Sequence, residues 1–392
     1  MHKSFKYRLW TNANQERELA IMLETHRRLY NECLEQRVNT FKEQSKAISY
    51  IDQSKWFTIS RKQNPYYLRL NVHSAESTIK RLDLAYAAFF RRVRSGSGRA
   101  GFPRFNARGQ FDSFSFRTYL DGCRIIGNKL KLQHIGEIRI NLHRPIEGEI
   151  KTVAIKNECG KWYAIFACNL GDSPAPERSG PSVGIDVGLT SFLTTSEGDT
   201  IENPRYEKME LPKLRRLQRS LCRKKKGGSN RQKSRRKVAK LHARIANLRR
   251  DHHHKVALSL VRRYGWIATE SLNIRGMLRN SRLARAISDA GWYSFQLILC
   301  SKAESAGCKV VKVNPCGTSQ TCPCGERVPK KLSDRWHECP ACGFSANRDH
   351  ASALVILQRS LEDAQARTEP AGVNVNHRVK RPQKSRQRKL VK

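Results

Sequence analysis

The N-terminal region shows one strand pattern followed by helical spacing. Phe5, Tyr7 and Leu9 alternate with polar residues, which predicts a short strand. In residues 14–45 apolar side chains recur at intervals of three and four, which predicts a helix with one core-facing side. A second helix is expected to begin at Ser74, a residue type that caps helices, and to bury one apolar face. Together these helices predict a helical unit.

A different pattern follows a Gly/Ser/Pro break at residues 95–103. Short apolar runs are separated by glycines and other turn residues, which predicts a small antiparallel barrel or sandwich. The runs are GNKLKLQHIG, GEIRINLH, GEIKTVAIKN and KWYAIFACNL. A Pro/Ser/Gly linker at residues 172–182 ends this region, and the character of the chain changes after it.

Beyond the linker, buried-strand patterns and helical spacing alternate as in an α/β domain. The domain is predicted to start near Val183, where VGIDVG, SFLTTS and DTIE form a three-stranded meander. Two more buried strands, in YGWIATESL and CKVVKVNP, have a helix from Trp292 to Ala306 between them, and ASALVILQRSL is the final helix. This order of elements is that of an RNase H-like fold.

The segment between the meander and the fourth strand is strongly basic. From Lys213 to Arg250 the chain has 17 Lys and Arg and no Asp or Glu. Apolar residues recur at three and four on either side of Gly227–Gly228, which predicts a helical hairpin with one apolar stripe. A solvated surface is the simpler reading of such charge, but the lack of acids favours contact with a nucleic-acid backbone. The candidate contacts are Arg215, Arg216, Arg235, Arg236 and Lys237.

The charge of the whole chain points the same way. It has 75 Lys and Arg against 34 Asp and Glu, a formal net charge of +41, and this self-repulsion is best neutralised by a polyanion such as nucleic acid. No apolar run approaches the roughly 18 residues of a membrane span, and no signal-like segment opens the chain. We therefore expect no membrane partner and a cytoplasmic, nucleoid-associated location. Residues 363–392 are expected to form a basic disordered tail.

Three acids in the second half, Asp186, Glu270 and Asp349, stand at strand-like or helix-start positions. A charged Asp inside an apolar strand costs several kcal/mol unless a cation compensates, and a hard divalent ion held by carboxylates is the usual solution. Two magnesium ions held in this way would activate a water and stabilise the leaving oxygen of a phosphodiester. Glu270 or Asp349 alone could instead pair with an arginine or cap a helix. The three acids in this order of elements predict a nuclease.

Four of the twelve cysteines form a cluster in the sequence: Cys322, Cys324, Cys339 and Cys342. The other eight are scattered singly, which indicates reduced thiols and one metal site rather than disulfides. Two close pairs flanked by Gly325 and Gly343, whose backbone freedom suits tight turns, predict a closed structural zinc site with four thiolates. The first pair has one residue fewer between its cysteines than the second, so Cys316 and His337 remain open as alternative ligands.

The segments GIDVGLTSFLTTSEG, IATESLNIRGM, GTSQTCPCGERVPKKLSDRWHECPACG and NRDHASA carry these residues. They resemble the successive RuvC and zinc-ribbon motifs of the TnpB family, the RNA-guided endonucleases encoded by IS200/IS605-type transposons and related to type V CRISPR effectors. FKYRL, GFPRF and GKWYAIF are similar to the N-terminal half of that family. The resemblance covers nearly the whole chain to about residue 360.

The resemblance implies an α/β plus β-barrel protein with two lobes. An N-terminal wedge-type β-barrel would hold a helical recognition insert, and a C-terminal RNase H-like (RuvC) domain would hold a zinc-ribbon insert. The implied ranges are 1–12 and 100–172 for the barrel, 13–99 for the recognition domain, 183–315 and 344–362 for the RuvC domain, and 316–343 for the ribbon.

By motif position the resemblance gives Asp186, Glu270 and Asp349 the catalytic role and two Mg²⁺ ions, with one structural Zn²⁺ in the ribbon. It implies a prokaryotic, RNA-guided double-stranded DNA endonuclease, monomeric in its ribonucleoprotein, that binds a guide RNA and reads a short DNA motif beside the target. A guide-independent RuvC-like nuclease and a catalytically idle nucleic-acid-binding repressor are the alternatives. One departure is Asn347, where the family commonly has a further acid, and this change could weaken a metal site.

Overall fold

The computed structural model describes residues 2–96, 100–171, 176–331 and 333–368. The chain forms two compact units, one of Met1–Pro174 with Gly227–Lys240 and the other of Ala175–Lys226 with Leu241–Lys392. Parts of the predicted break at 95–103 and of the linker at 172–182 lie outside the described residues. The disordered tail predicted for 363–392 is wrong for residues 363–368, which continue the last helix, and the rest of it lies outside the described residues.

In the first unit a strand leads into four helices. These elements are β1 (His2–Trp10), α1 (Ala13–Gln44), α2 (Tyr50–Gln63), α3 (Pro65–Leu68) and α4 (Val72–Arg94). The predicted strand and both predicted helices are present, and the predicted apolar face of α1 is buried. α4 begins two residues before Ser74, because the side chain of Asn71 accepts a hydrogen bond from the Ser74 N–H and caps the helix.

The same unit contains a nearly closed seven-stranded antiparallel sheet, in agreement with the strand pattern after residue 103. The further strands are β2 (Ser113–Phe116), β3 (Cys123–Ile126), β4 (Lys129–Leu132), β5 (Gly136–Asn141), β6 (Glu149–Glu158) and β7 (Lys161–Asn169). Their order is β2-β6-β7-β1-β5-β4-β3. Alternate residues of β1 and β7, such as Tyr7 and Phe166, enter a core shared with α1 and α4.

The second unit is built on a five-stranded mixed sheet with helices and a small two-stranded sheet. Its strands are β8 (Ser182–Val187), β9 (Ser191–Thr195), β10 (Thr200–Glu202), β11 (Trp266–Glu270), β12 (Lys309–Val313), β13 (Trp336–Glu338) and β14 (Ser345–Asn347). Its helices are α5 (Tyr206–Cys222), α6 (Ser229–Arg263), α7 (Ile274–Met277), α8 (Ala284–Ala290), α9 (Trp292–Ala306) and α10 (Arg348–Thr368).

The strand order of the larger sheet is β10-β9-β8-β11-β12. β8, β9 and β10 pair antiparallel, as the predicted meander does, whereas β11 runs parallel to both β8 and β12. α10 packs directly on the central strand at Gly184. A Cβ atom on Gly184 would lie 2.0 Å from the carbonyl oxygen of Ala353, so only glycine permits this approach. The final helix is thereby brought against the strand that carries Asp186.

The predicted basic hairpin consists of α5 and α6, separated by a turn that contains Gly227. The residues of α6 up to Lys240 belong to the first unit. α5 starts at a buried carboxylate, since Asp289 accepts hydrogen bonds from the backbone N–H groups of Glu207 and Lys208. Among the described residues, none of the helices combines the length and apolar character needed to cross a membrane.

Candidate active site and cysteine cluster

The three candidate carboxylates come from three elements that meet at one end of the five-stranded sheet. Thr269 of β11 pairs with Ile185 of the parallel strand β8. The next residues, Glu270 and Asp186, therefore lie side by side near the carboxyl ends of neighbouring strands. Asp349 lies in the first turn of α10. A Cβ atom on Gly188, just after β8, would lie only 3.9 Å from the Asp349 Oδ2 atom. Long-range packing therefore assembles residues that are far apart in sequence.

The pKa of Asp186 indicates that Glu270 and Asp349 lie near it. The pKa of Asp186 is raised well above its ordinary value, first by burial and then by the negative charges of Glu270 and Asp349. The Arg348 guanidinium opposes this shift but does not cancel it. Two like charges beside a largely dehydrated carboxyl group are unfavourable unless a cation joins the three acids. The arrangement is therefore a candidate site for a hard cation.

Glu270 is buried and is held by hydrogen bonds. Its side chain is 8% exposed, and burial raises its pKa. The hydroxyl group of Thr318 donates a hydrogen bond to Oε1 of Glu270, and Gln296 donates one to its backbone carbonyl group. This role of Thr318 cannot be predicted from the sequence, because the identity of a threonine in a loop does not indicate which carboxylate its hydroxyl group contacts.

Asp349 has a single charged neighbour on its own helix. Arg348 donates to Asp349 Oδ1 at 3.4 Å, so the arginine pairing considered from the sequence is present but long. The side chain of Asn347 accepts a hydrogen bond of 2.9 Å from the Asp349 N–H and so caps α10. Asn347, the residue that departs from the family pattern, therefore has a structural role as the cap of α10.

The four clustered cysteines are brought together in space. Among the described residues, they are the only group of three or more His, Cys, Asp or Glu side chains whose ligand atoms all lie within 4.8 Å of one another. The Sγ–Sγ distances are 3.6 Å for Cys322 and Cys342 and 3.7 Å for Cys324 and Cys339, too long for disulfides. Cys324 therefore belongs to the group, even though only one residue separates it from Cys322.

The two alternative ligands considered from the sequence lie outside this group. Cys316 is exposed, and its backbone carbonyl group accepts a hydrogen bond from Arg359. His337 is fully buried, and its Nδ1 atom accepts from Lys330. Gly325 and Gly343 have φ angles of +93° and +72°, as expected for tight turns around a metal.

The thiols of the cluster differ in acidity. Hydrogen bonds from the backbone, first that of Cys342 and also that of Ala341, lower the pKa of Cys339 to about 7. Burial raises the pKa of Cys322 to about 12. Because thiolates rather than thiols bind metals, Cys339 is the member best prepared to bind a cation near neutral pH.

The candidate nucleic-acid contacts of the basic hairpin are all exposed. Arg215 and Arg216 lie on α5, and Arg235, Arg236 and Lys237 lie on α6. Within the first unit, Arg235 and Arg236 line a cavity of about 840 Å³ together with Arg27 and Arg108. The cavity is also lined by Phe111 and Trp162 and by the acids Glu24 and Asp112.

A second basic cleft, of about 570 Å³, lies within the second unit and was not foreseen from the sequence. It begins at Leu189 and Thr190, directly after the Gly188 that approaches Asp349. Its cationic side chains are Arg205, Lys208, Arg282 and Arg285. In sequence these residues come from separate segments, and only folding brings them to one cleft.

Comparisons with known proteins agree with this picture. Three family models match the chain: "Probable transposase" of the OrfB_IS605 type at residues 165–281, "Cas12f1-like, TNB domain" at 292–356, and "Helix-turn-helix domain" of the OrfB_IS605 type at 1–46. The second match contains the cysteine cluster and Asp349, and the first contains Asp186 and Glu270. Both candidate sites therefore lie in segments shared with these families.

Two bacterial relatives match over nearly their full length. The "Putative RNA-guided DNA endonuclease" of Streptomyces pristinaespiralis is 32% identical over 92% of this chain and 89% of its own length. The "Putative RNA-guided DNA endonuclease InsQ" of Escherichia coli K12 is 31% identical over 91% of each chain. Among solved structures, the mini-RNA-guided endonuclease CRISPR-Cas_phi3 covers 92% of each chain with a TM-score of 0.52 at 10% identity.

The structural match shows that this chain shares the fold of that protein. The two relatives above 30% identity, together with the IS605-type family models, narrow the assignment further. This chain belongs to the TnpB family of transposon-encoded RNA-guided DNA endonucleases.

Proposed function

We propose that this chain is an RNA-guided endonuclease for double-stranded DNA. In this proposal Asp186, Glu270 and Asp349 hold divalent ions at the end of the five-stranded sheet, and the cysteine cluster holds a structural zinc ion. A guide RNA selects the target, and the protein reads a short DNA motif beside it. The fold neighbour and the two bacterial relatives support the activity, and the three neighbouring carboxylates of this chain support the chemistry.

The carboxylates fit magnesium by their donor atoms and their spacing. Magnesium prefers oxygen ligands and keeps several waters, so it needs only a few carboxylates. The negative charges of Glu270 and Asp349 raise the pKa of Asp186, but the three side chains do not form a group as tight as the cysteines. In a two-metal mechanism Asp186, Glu270 and Asp349 would hold both ions. When bound, such ions supply an activated water and charge stabilisation for the phosphodiester.

The protein's own part in this reaction is to hold three carboxylates in fixed positions. β8 and β11 fix Asp186 and Glu270 through their parallel pairing, and Gly184 lets α10 bring Asp349 against them. The strand order with its central β8 is that of an RNase H-like sheet, which supports the RuvC assignment. Because β8 and β11 are parallel, their carboxyl ends lie at the same end of the sheet, and we place the phosphodiester there.

The cysteine cluster fits zinc by its sulfur spacing. Four sulfurs at about 2.3 Å from a tetrahedral ion lie roughly 3.8 Å from one another. The observed spacings of 3.6 and 3.7 Å are close to this value. A closed set of four thiolates has no open ligand position, so the ion would stabilise the fold and take no part in cleavage.

The basic surfaces fit nucleic acid. We assign the guide RNA to the exposed arginines and lysine of the hairpin, Arg215, Arg216, Arg235, Arg236 and Lys237, because a cationic helix surface tracks a phosphate backbone. We assign the DNA strand to the cleft with Arg205, Lys208, Arg282 and Arg285, because its cationic side chains suit a phosphate backbone. Each assignment is made for this chain on charge and position.

The proposal is tested by purifying the protein after expression with its native transposon end. We expect a specific RNA to co-purify, and duplex cleavage in Mg²⁺ to follow complementarity to the variable end of that RNA. Replacing the variable segment should redirect cleavage, while a short fixed motif beside the target should still be required. If RNA-free protein cuts the same duplex at unchanged sites, the chain is a guide-independent nuclease. If the complex binds its target but does not cut in Mg²⁺, it is a nucleic-acid-binding repressor.

A further inference from the structure

The loop between β12 and the cysteine cluster contacts the proposed active site directly. This strand-to-ribbon loop, residues 314–321, contains a short 3-10 turn at Thr318–Gln320. Thr318 is 4% exposed, and its hydroxyl group lies 2.5 Å from Oε1 of Glu270 and 3.2 Å from the carbonyl oxygen of Pro315. A hydroxyl group has one proton to donate. The shorter contact, in the range of bonds to ionised carboxylates, takes that proton.

The loop is itself fastened to the helix that carries Asp349. Arg359 of α10 donates to the backbone carbonyl groups of Asn314 at 3.2 Å and Cys316 at 2.7 Å, and to Thr321 at 3.4 Å. One planar guanidinium group therefore bridges the two ends of the loop. Because Asp349 begins α10 and Arg359 lies further along the same helix, α10 positions one carboxylate directly and a second one through the loop.

We propose that Thr318 is the positioning residue that fixes the Glu270 carboxylate for metal binding, and that Arg359 holds the loop in the conformation that makes this possible. Glu270 is buried at the end of β11, so rotation of its carboxylate group would change which oxygen faces Asp186. The hydrogen bond from the Thr318 hydroxyl group to Oε1 favours one orientation of the Glu270 carboxylate group. The cysteine cluster begins one residue after this loop ends, which makes the ribbon a neighbour of the nuclease site through covalent connection and hydrogen bonds.

This inference rests on the proposed function, because it takes Glu270 as a ligand of a divalent ion. Hydrogen-bond partners that orient a metal ligand typically contribute about 10- to 100-fold to metal affinity or activity. We therefore expect a defect of that size when the Thr318 hydroxyl group is removed. The sequence neighbour Ser319 is exposed and offers a matched control in the same turn.

The test compares Thr318→Val, Thr318→Ser and Ser319→Ala in the zinc-loaded ribonucleoprotein. The first readout is independent of DNA cleavage: Fe²⁺ replaces Mg²⁺, and ascorbate with peroxide generates radicals that cut the polypeptide beside the bound ion. Glu270→Gln identifies the fragments that depend on this site. For Thr318→Val we expect the Fe²⁺ concentration at half-maximal cutting to rise about tenfold or more, while Thr318→Ser and Ser319→Ala resemble the parent.

The second readout is single-turnover DNA cleavage. Thr318→Val should slow the cleavage step about 10- to 100-fold and raise the Mg²⁺ requirement, with target binding and thermal stability close to those of the parent. A change within twofold in both readouts would overturn the proposal, and so would a Thr318→Ser protein as defective as Thr318→Val, since that would indicate a packing role.

If the Thr318→Val variant does not fold, the Arg359→Gln variant tests the proposal instead. It removes the bridge across the loop while leaving the Thr318 hydroxyl group, and it should raise the Fe²⁺ requirement in the same direction by a smaller factor. An unchanged Fe²⁺ requirement would refute the role of the loop. If the parent binds Fe²⁺ at this site but does not cut DNA, the proposed function fails while the comparison between the Thr318 variants still stands.

Discussion

The two candidate metal centres of the second unit are assembled in opposite ways. The cysteine cluster comes from one short segment, and local turns at Gly325 and Gly343 bring four sulfurs together. The carboxylate site takes its residues from β8, β11 and α10, which only long-range packing makes neighbours. The sulfur atoms of the cysteine cluster lie close together. The carboxylates form a less compact group, in which Glu270 and Asp349 repel a charged Asp186.

This difference indicates which centre the fold needs. The carboxylates lie on elements held by packing: β8 and β11 share a large apolar core that contains Val183, Ile185 and Ile267, and α10 packs on β8 at Gly184. The segment around the cysteines has only a two-stranded sheet, which is marginal in water without further support. Loss of a carboxylate should therefore impair chemistry, whereas loss of a thiolate should impair folding of the ribbon.

The largest expected effect is that of Asp186→Asn. It removes one of three carboxylates while keeping shape and hydrogen-bonding capacity, so we expect cleavage in Mg²⁺ to fall roughly a thousandfold or more with RNA binding and thermal stability retained. Single-turnover cleavage and a thermal melt measure the two properties. Asp251→Asn, on the exposed face of α6, is the matched control. Cleavage within tenfold of the parent would remove Asp186 from the active site.

Cys339→Ser should show the reverse pattern. A closed thiolate site contributes its binding free energy to folding, so the variant should lose its zinc, about one ion per chain in the parent, and its ribbon should become sensitive to protease. Metal analysis and limited proteolysis report these changes. Cys316→Ser should resemble the parent, because that thiol lies outside the group. If Cys324→Ser keeps its zinc and Cys316→Ser does not, Cys316 is the fourth ligand.

Charge reversal of Arg235, Arg236 and Lys237 to Glu should affect binding without affecting either centre. If each residue contacts an RNA phosphate, the slope of log affinity against log salt should flatten by roughly 2 to 3 units. Filter binding at several salt concentrations gives that slope. An equal reversal at the exposed Arg124, Lys131 and Arg139 of the antiparallel sheet serves as control. Equal losses in both triple variants would mean that the overall charge, and not the hairpin, sets affinity.

The contrast between the two centres also explains how much the sequence could predict. The spacing of the cysteines placed the cluster correctly because its geometry is local. The order of acids in strand and helix patterns predicted that Asp186, Glu270 and Asp349 would meet, and the structure makes them neighbours, while their catalytic role stays a prediction. The wide spacing of the carboxylates and the contact from Thr318 depend on tertiary packing and have no sequence signal.

The same limit applies to the fold. The apolar stripe of α1 and the alternation of buried and less buried residues in β7 could be predicted because one face of each element is buried. α2 was missed because it buries only Gln53 and Phe57 and so has no apolar stripe. His253 lies in a polar stretch of sequence, yet it is buried against Phe192 and its Nε2 atom is hydrogen-bonded to the Ala290 carbonyl group. In that case one core residue was hidden among polar neighbours.

A smaller effect concerns stability and pH without magnesium. Burial raises the folded-state pKa values of Asp186 and Glu270, and neighbouring charges raise that of Asp186 further. Folding therefore favours their protonated forms, and the resulting stability is fully present at pH values below the unfolded pKa and is lost as pH rises through the folded pKa. Asp186→Asn should be at least as stable as the parent at pH 7.5, with the advantage shrinking towards pH 5. Urea midpoints of both proteins in magnesium-free buffer test this, and an advantage that grows with acidity contradicts it.

The smallest effect should be that of Asn347→Asp, which restores an acid where the family commonly has one. The Asn347 side chain accepts the Asp349 N–H at 2.9 Å, and an aspartate can accept the same bond at the positive end of α10. We expect cleavage within about threefold of the parent, because the cap and Asp349 are both preserved. Asn347→Ala, which removes the acceptor, should instead cost about 1 kcal/mol of stability. A large gain in cleavage for Asn347→Asp would show that a fourth carboxylate belongs to the metal site, and the three-acid description would then be incomplete.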